Sequence, residues 1–242
     1  MKLTFLGTGA AFDSDLPNTS ILIESDTKLL LDCGYTSVQK LWQYNDNENF
    51  LDAVFISHAH ADHYFGLPAL LFKMKTRKRN KPLKIICLKG IKEIIQQITS
   101  LGFGDKELTF PVEYIEVNEQ DTIRLNEFTL NFAPSTHPRP NLAIRIKKNQ
   151  TFCYSGDGNF TETSTKLFKD ADLLIHEAFL WGEPFDGHGY AKAVIKMAKK
   201  NGVKRLGLIH IQPRHKEDVY SKVKEFDDYV FIPKPDDQIL LK

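Results

Sequence analysis

Four side chains able to bind a metal fall within six consecutive residues, His58-Ala59-His60-Ala61-Asp62-His63, directly after the apolar run 52–57. In an extended chain, side chains two residues apart project to the same side, so His58 and His60 aim at a common point. Asp62 and His63 then fall at a turn into a helix, where they can face a second point nearby. Imidazole with carboxylate suits zinc, and iron or manganese as well, so the donor types leave the metal open. Three further positions each lie just beyond an apolar run. His137 sits in Pro134-Ser135-Thr136-His137-Pro138, Asp157 follows Phe152-Cys153-Tyr154-Ser155-Gly156, and His210 follows Leu206-Gly207-Leu208-Ile209. Taken singly, a His or Asp after a strand is commonplace. Ligands in α/β sheets gather at the carboxyl ends of strands, however, and four such ends offering metal-type side chains is what a shared site requires.

The elements that must position these residues are legible in outline. Short β-branched runs predict strands at 2–6, 19–24, 28–32, 52–57, 83–88, 112–117, 121–124, 128–133, 142–147, 151–155, 172–176, 204–209 and 238–241. Apolar residues at helical spacing predict helices at 90–101, 190–201 and 215–226. In the first, Ile91, Ile94, Ile95, Ile98 and Leu101 form the stripe and Gly102 the stop; in the second, Ala191, Val194, Ile195 and Ala198 do so ahead of Gly202. Two blocks of strands, each followed by helices, point to a layered α/β fold. Because both faces of a sheet need cover, the expected order is an α/β/β/α sandwich formed by a single domain over residues 1–242.

Composition narrows the class without naming a function. The chain has 242 residues, 42% hydrophobic and 26% charged, with a net charge of +1, so bulk charge argues neither for nor against nucleic acid. No apolar stretch approaches the roughly 18–20 residues of a membrane span. The start, Met1-Lys2-Leu3-Thr4-Phe5-Leu6-Gly7, reads as a first strand rather than a signal peptide. Cys33, Cys87 and Cys153 are odd in number, lie in or beside apolar runs and show no ligand spacing, which fits reduced thiols in a cytoplasm.

The run His58-Ala59-His60-Ala61-Asp62-His63, with His137, Asp157 and His210 following in order, resembles the metallo-β-lactamase superfamily over nearly the whole chain. The resemblance implies the four-layer metallo-β-lactamase sandwich and two divalent metal ions, zinc first, with manganese or iron open. One ion would be held by His58, His60 and His137, the other by Asp62, His63 and His210, with Asp157 between them. A water or hydroxide bridging the ions would be the nucleophile. Asp32, ending Leu29-Leu30-Leu31-Asp32-Cys33-Gly34, is read either as orienting a ligand histidine or as capping the strand-to-loop turn.

Further stretches are similar to ribonuclease Z and its relatives: Phe5-Leu6-Gly7-Thr8-Gly9-Ala10, Leu30-Leu31-Asp32-Cys33-Gly34, Gly202-Val203-Lys204-Arg205-Leu206 and Pro213-Arg214. Gly7-x-Gly9 alone would hint at a dinucleotide loop, but the third glycine of that loop is absent. By the same resemblance, His176-Glu177-Ala178 and Gly187-His188-Gly189 supply a glutamate that tunes a histidine acid. Glu177, His188 and Asp62 are therefore the catalytic candidates. Departures are visible, with Phe179 where the family has threonine, and Gly189 and Tyr190 where it has serine and threonine. The Gly/Pro-rich arm that grips tRNA has no room, since His137 and Asp157 are twenty positions apart and a hairpin fills the interval. A basic loop after the opening glycines is replaced by Phe12-Asp13-Ser14-Asp15-Leu16-Pro17. Lys73, Lys75, Arg77, Lys78, Arg79, Lys81 and Lys84 form a basic run that is read as a solvated face or as a polyanion guide flanking the site.

The expectation is a two-metal phosphodiesterase of the ribonuclease Z type, cytoplasmic, without membrane contact, acting on an RNA 3′ end or a small phosphodiester. The resemblance also implies a homodimer. The alternatives are a carboxyl-ester, thioester or lactone hydrolase on the same metals, and a non-catalytic metal-stabilised nucleic-acid-binding module.

Overall fold

Residues 1–104 and 107–242 are described by the structure, a computed structural model. The first half of the chain runs β1 (Lys2–Gly7), β2 (Ser20–Glu24), β3 (Lys28–Leu31), α1 (Ser37–Tyr44), β4 (Ala53–Ile56), α2 (Ala61–Tyr64), α3 (Leu67–Thr76), β5 (Leu83–Leu88), α4 (Ile91–Phe103) and β6 (Val112–Val117). The second half begins with β7 (Thr122–Leu125), β8 (Phe128–Thr136), β9 (Asn141–Lys147), β10 (Thr151–Tyr154), β11 (Asn159–Phe160), α5 (Glu162–Leu167) and β12 (Leu173–Glu177). It continues with α6 (Ala191–Lys200), β13 (Leu206–Ile209), α7 (Lys216–Val223), β14 (Val230–Phe231) and β15 (Gln238–Leu240).

The strands form two sheets, ordered β15-β1-β2-β3-β4-β5-β6 and β11-β8-β9-β10-β12-β13-β14, with β7 alongside β8. Each sheet changes from an antiparallel meander to parallel pairing, the first at β3 and the second at β10. Parallel neighbours need crossovers, and the helices between those strands supply them. The carboxyl ends of β3, β4, β10, β12 and β13 consequently point the same way within each sheet.

Alternation along the strands sorts the core into layers. Leu29 and Leu31 of β3 face the space between the sheets, with Phe55, Phe132, Ile144, Phe152 and Ile175. Leu30, one residue out of phase, packs outward with Val54, Leu67, Leu71 and Ile95 under the helices of the first half. On the other outer face Leu174, Leu206 and Leu208 meet Val194, Ala198 and Val219. The α/β/β/α order expected from the pattern is the one found.

Each predicted strand is present, and no end moves by more than three residues. The helix expected at 215–226 is α-helical only to Val223 and continues as a 3₁₀ turn over Lys224–Tyr229. The elements without a sequence signal are short: α1, α5, β11 and β14. In α3 the residues Leu67, Pro68, Leu70, Leu71 and Met74 are all buried, so its apolar positions merge into one run instead of a stripe.

Candidate metal centre

The nine expected metal-binding and catalytic side chains meet where the two sheets abut. His58 and His60 follow β4, and Asp62 and His63 lie on the single turn of α2. His137 follows β8, Asp157 follows β10, Glu177 ends β12 and His210 follows β13. The first four come from one sheet and the rest from the other, so the site exists only where the sheets dock. Backbone bonds pin this seam: Leu142 N–H donates to the Ser57 carbonyl at 3.0 Å, and His210 N–H to the Thr8 carbonyl at 2.9 Å.

Two groups of donors span both sheets, and a third, Asp157, Glu177, His188 and His210, comes from the second half of the chain alone. His58, His60, His137 and Asp157 place one ligand atom each within 4.8 Å of one another, and so do Asp62, His63, Asp157 and His210. Asp157 belongs to both. His60 Nδ1 and His137 Nε2 are 3.1 Å apart. Asp62 Oδ2 lies 3.2 Å from the Nε2 atoms of both His63 and His210, and Asp157 Oδ2 lies 3.3 Å from the same two nitrogens. A cation with ligands at about 2.0–2.1 Å in tetrahedral array has ligand–ligand edges of about 3.3–3.4 Å, close to these spacings. His58 Nε2 and His63 Nε2 are buried without a hydrogen-bond partner among the described residues. Unpaired buried imidazole nitrogens are costly, and a cation would satisfy both. The donors fit divalent metal ions.

The proton balance supports the same fit. Burial, with the neighbouring imidazoles, pushes His58 well down, and burial also lowers His60 and His137, leaving them neutral with lone pairs available. Burial would lower His63 and His210 too, yet Asp157 and Asp62 overcome it. His63 is raised well above its ordinary value and His210 is pushed up to about 10. The carboxylates thus collect positive charge, as protons when no metal is bound.

Around the donors a second set of bonds fixes ring orientation. Fully buried Asp32 accepts from Ser57 N–H at 2.7 Å through Oδ1. Its Oδ2 accepts from Ser57 Oγ–H at 2.8 Å, His63 Nδ1–H at 2.8 Å and the Tyr154 hydroxyl at 2.6 Å. Of the two readings of Asp32, the one that orients a ligand histidine matches these contacts. Ser57 Oγ also meets His58 Nδ1 at 3.0 Å, and Asn141 Oδ1 accepts from Asp157 N–H at 3.1 Å. Ser57, Tyr154 and Asn141 are not among the site residues expected from the sequence. Only the position of Ser57 beside His58 offered a signal.

Glu177 is fully buried and accepts from the Gly158 backbone N–H and from His188 Nδ1–H. Its Oε1 also lies 3.5 Å from His210 Nδ1, so one carboxylate faces both rings. Burial opposes ionisation of Glu177, but the bonds to His188 and His210 hold it below the usual carboxylate range; the same Glu177 bond raises His188 against burial. His176, adjacent in sequence, alternates away from the site and donates Nδ1–H to the Glu177 carbonyl at 2.7 Å between Phe160 and Phe168. His188 is delivered by a tight hairpin turn in which its N–H reaches the Phe185 carbonyl at 2.7 Å. Asp186 and Gly187, the two central residues, both have positive φ, 38° and 76°, the pattern of an Asp-Gly turn.

Above the donors opens a cavity of about 660 Å³, with His60, Asp62, Asp157, His188 and His210 on its floor and Phe12, Tyr35, Phe179 and Arg214 on its walls. The basic run 73–84 does not line it. Lys73 and Arg77 pair with Asp46, Lys81 with Asp52 and Lys84 with Glu113. Buried Arg79 donates to the carbonyls of Glu48, Leu51, Lys81 and Pro82. Of the two readings given to that run, the solvated face fits its exposed members, and Arg79 is a strut. Asp13 and Asp15, in the acidic opening loop, face Lys216 instead.

Comparison with known proteins agrees with this geometry. The sequence model of the family described as anti-Pycsar protein Apyc1 matches residues 1–232. Ribonuclease Z of Methanosarcina acetivorans is 25% identical, with 93% of this chain and 92% of that protein covered. Among solved structures, human tRNase Z, short form (ELAC1), superposes with a TM-score of 0.83 at 25% identity over all of both chains. The metallo-β-lactamase fold protein YhfI of Bacillus subtilis gives 0.85 at 26% identity, with 98% of each chain covered.

Proposed function

The chain belongs to the family of the anti-Pycsar protein Apyc1 and has the metallo-β-lactamase fold, and on that premise we propose that this metal-dependent, ribonuclease Z-like hydrolase is a phosphodiesterase for small phosphodiesters. The observation that carries the reading is the Glu177–His188 pair set beside the double His/Asp cluster, with His188, His60, Asp62, Asp157 and His210 lining one cavity. Ester, thioester and lactone hydrolysis needs the cluster but not the pair.

His58, His60 and His137 would hold one ion, Asp62, His63 and His210 the other, and Asp157 both. Zinc is the first choice on these donors, with manganese or iron open. Two bound cations supply neutralisation of phosphoryl charge and a lowered pKa for water at the attacked centre. The chain's own groups do the rest. Asp62, on the cavity floor, offers a carboxylate where the attacking water loses its proton. Glu177 accepts His188 Nδ1–H, which leaves Nε2 to carry a proton toward the leaving oxygen. An alkoxide leaves poorly, and a positioned acid contributes about 10²–10⁴-fold. Phe12, Tyr35 and Phe179 give the cavity apolar walls of a size suited to a ligand of a few hundred daltons.

The antiparallel hairpin of β9 and β10 fills the interval between His137 and Asp157, and the basic run is paired away from the cavity. Both features favour a small diester over a long RNA. Residues 1–242 act here as one domain and, in the same reading, as a homodimer. Three free, buried cysteines favour the cytoplasm as its place of action. Among the described residues no helix is long and apolar enough to cross a membrane.

The test is hydrolysis of bis(p-nitrophenyl) phosphate by protein reconstituted with zinc or manganese, beside an Asp157→Ala control. Turnover that vanishes in the control supports the reading. A protein with two bound ions and no diester turnover, but with lactone or thioester turnover, overturns it. Faster cleavage of a tRNA precursor than of any small diester would move the substrate to RNA.

A further inference from the structure

Glu177 constrains the His188 ring only within its own plane, through one bond at Nδ1. A ring held at one edge can still rock about that bond, and His188 sits on an exposed hairpin tip. Something must hold its faces. His137 meets it edge-on, with centroids 5.0 Å apart and planes at 78°. Phe179 covers a face: its ring lies parallel, with centroids 4.2 Å apart and an interplanar angle of 17°. Phe185 stacks further along, 5.6 Å from Phe179 at 20°.

Phe179 is itself fixed. Its N–H donates to the Gly189 carbonyl at 2.9 Å, and its carbonyl accepts from Gln212 N–H at 2.9 Å. It is therefore tied on one side to the segment carrying the acid and on the other to the segment after His210. Its side chain also lines the substrate cavity. A polar side chain could hold His188 from the same place only by competing with Glu177 for ring nitrogens or with the substrate for Nε2. An aromatic face restrains the imidazole without touching either nitrogen, and an imidazolium gains from lying over its π-cloud.

We infer that Phe179 is the positioning residue for the leaving-group acid, holding the His188 ring so that Nε2 points at the scissile bond. The inference rests on the phosphodiesterase reading above. In the step concerned, the P–O bond to the leaving group breaks and its electron pair goes to the leaving oxygen. That oxygen takes the proton from His188 Nε2. The attacking water supplies OH to phosphorus and leaves its other proton at Asp62, which passes it to solvent, while His188 takes a proton back from solvent before the next turnover. The products are a phosphomonoester and an alcohol.

The experiment measures kcat across aryl methyl phosphodiesters with leaving groups from p-nitrophenol to phenol, for the wild type, His188→Ala, Phe179→Leu and Phe179→Tyr. Metal content and thermal midpoint are recorded for each. Proton donation matters more as the leaving group becomes more basic, so the slope of log kcat against leaving-group pKa reports acid catalysis directly. His188→Ala should steepen that slope. Phe179→Leu should steepen it in the same direction, with a loss of about tenfold more on phenol than on p-nitrophenol, since misplacing a catalytic group by about 1 Å costs up to about 10²-fold. Phe179→Tyr, which keeps the aromatic face, should restore the wild-type slope. A Phe179→Leu protein that loses activity equally on every leaving group, or not at all, overturns the inference. If His188→Ala itself leaves the slope unchanged, the acid assignment fails instead, and that result is distinguishable from the failure of Phe179.

Discussion

Replacing Asp32 by asparagine exchanges one oxygen for an NH₂ and nothing else, at a position where the consequences can be followed atom by atom. Oδ1 keeps its bond from Ser57 N–H. The NH₂ takes the place of Oδ2, which receives three donors: Ser57 Oγ–H, Tyr154 O–H and His63 Nδ1–H. Both hydroxyls can rotate to accept, so they lose little. The imidazole cannot. To accept at Nδ1 it must carry its proton on Nε2, the nitrogen that faces Asp62 and Asp157 at 3.2 and 3.3 Å. That tautomer has no lone pair for a cation. Losses from such supporting partners are about 10–100-fold in metal affinity, or about 1.4–2.8 kcal/mol. The loss should fall mainly on an ion at Asp62, His63 and His210, because His60 and His137 do not touch Asp32 and His58 meets it only through Ser57 Oγ, which can still accept His58 Nδ1–H. Competition titration with a chromophoric chelator resolves the two binding steps. One step weakened by one to two decades, with the other nearly fixed and the thermal midpoint retained, is the expected outcome. Two steps unchanged, or two weakened alike, would refute the assignment of Asp32 to the His63 tautomer.

Three other outcomes follow from the same contacts. Metal loading at pH 7 should release protons, since His63 is raised well above its ordinary value and His210 to about 10 in the metal-free protein. Calorimetric titrations in buffers of different ionisation enthalpy read this as a buffer-dependent heat, and identical heats would show both rings already neutral. Gly187→Val combines a φ of 76° with a Cβ 2.9 Å from Pro138 Cδ, so it should shift the hairpin tip and lower kcat with metal content unchanged. The strain is about 1–2 kcal/mol, and wild-type kcat would show that the turn does not set the acid. Arg79→Ala should leave metal affinity alone. It removes four hydrogen bonds to carbonyls, the one to Leu51 buried and the other three partly buried, costing about 2–4 kcal/mol and lowering the thermal midpoint by roughly 5–15 °C; a midpoint within 2 °C of wild type, on that scale, would return Arg79 to the solvated face.

Legibility in the sequence tracked how local each cause was. The candidate donors could be picked out because four lie within six residues and the others each follow an apolar run, both properties of the linear chain. The layers could be read because two blocks of strands, each followed by helices, are an order visible along the chain. Tyr154 could not, since a tyrosine inside Phe152-Cys153-Tyr154 reads as core. Its hydroxyl finds Asp32 across 122 positions only once the sheets have docked. Arg79 could not either, because nothing near it distinguishes the guanidinium that turns inward from the lysines that stay out. Phe179 was visible as a departure, but its parallel stacking on His188 depends on a hairpin eight residues away.

Sheet docking also decides what metal does for stability. Within each donor group that spans the sheets, one sheet supplies His58 and His60, or Asp62 and His63, and the other supplies His137 or His210 with Asp157. An ion bound this way crosslinks the two sheets and has no equivalent in the unfolded chain, where the groups separate. Binding to the native state alone stabilises by about 2.7 kcal/mol per site at a hundredfold excess over Kd. For a chain of this size that is about 5–10 °C in thermal midpoint. The competing possibility is that the run His58-Ala59-His60-Ala61-Asp62-His63 captures an ion by itself, since four donors within six residues need no second sheet. In that case the unfolded chain binds too, and the midpoint hardly moves on chelation. Scanning calorimetry of zinc-loaded and chelated protein separates the two. His210→Ala sharpens the comparison: it should abolish roughly half of the metal-dependent shift if the ions bridge the sheets, and none of it if the local run alone holds them.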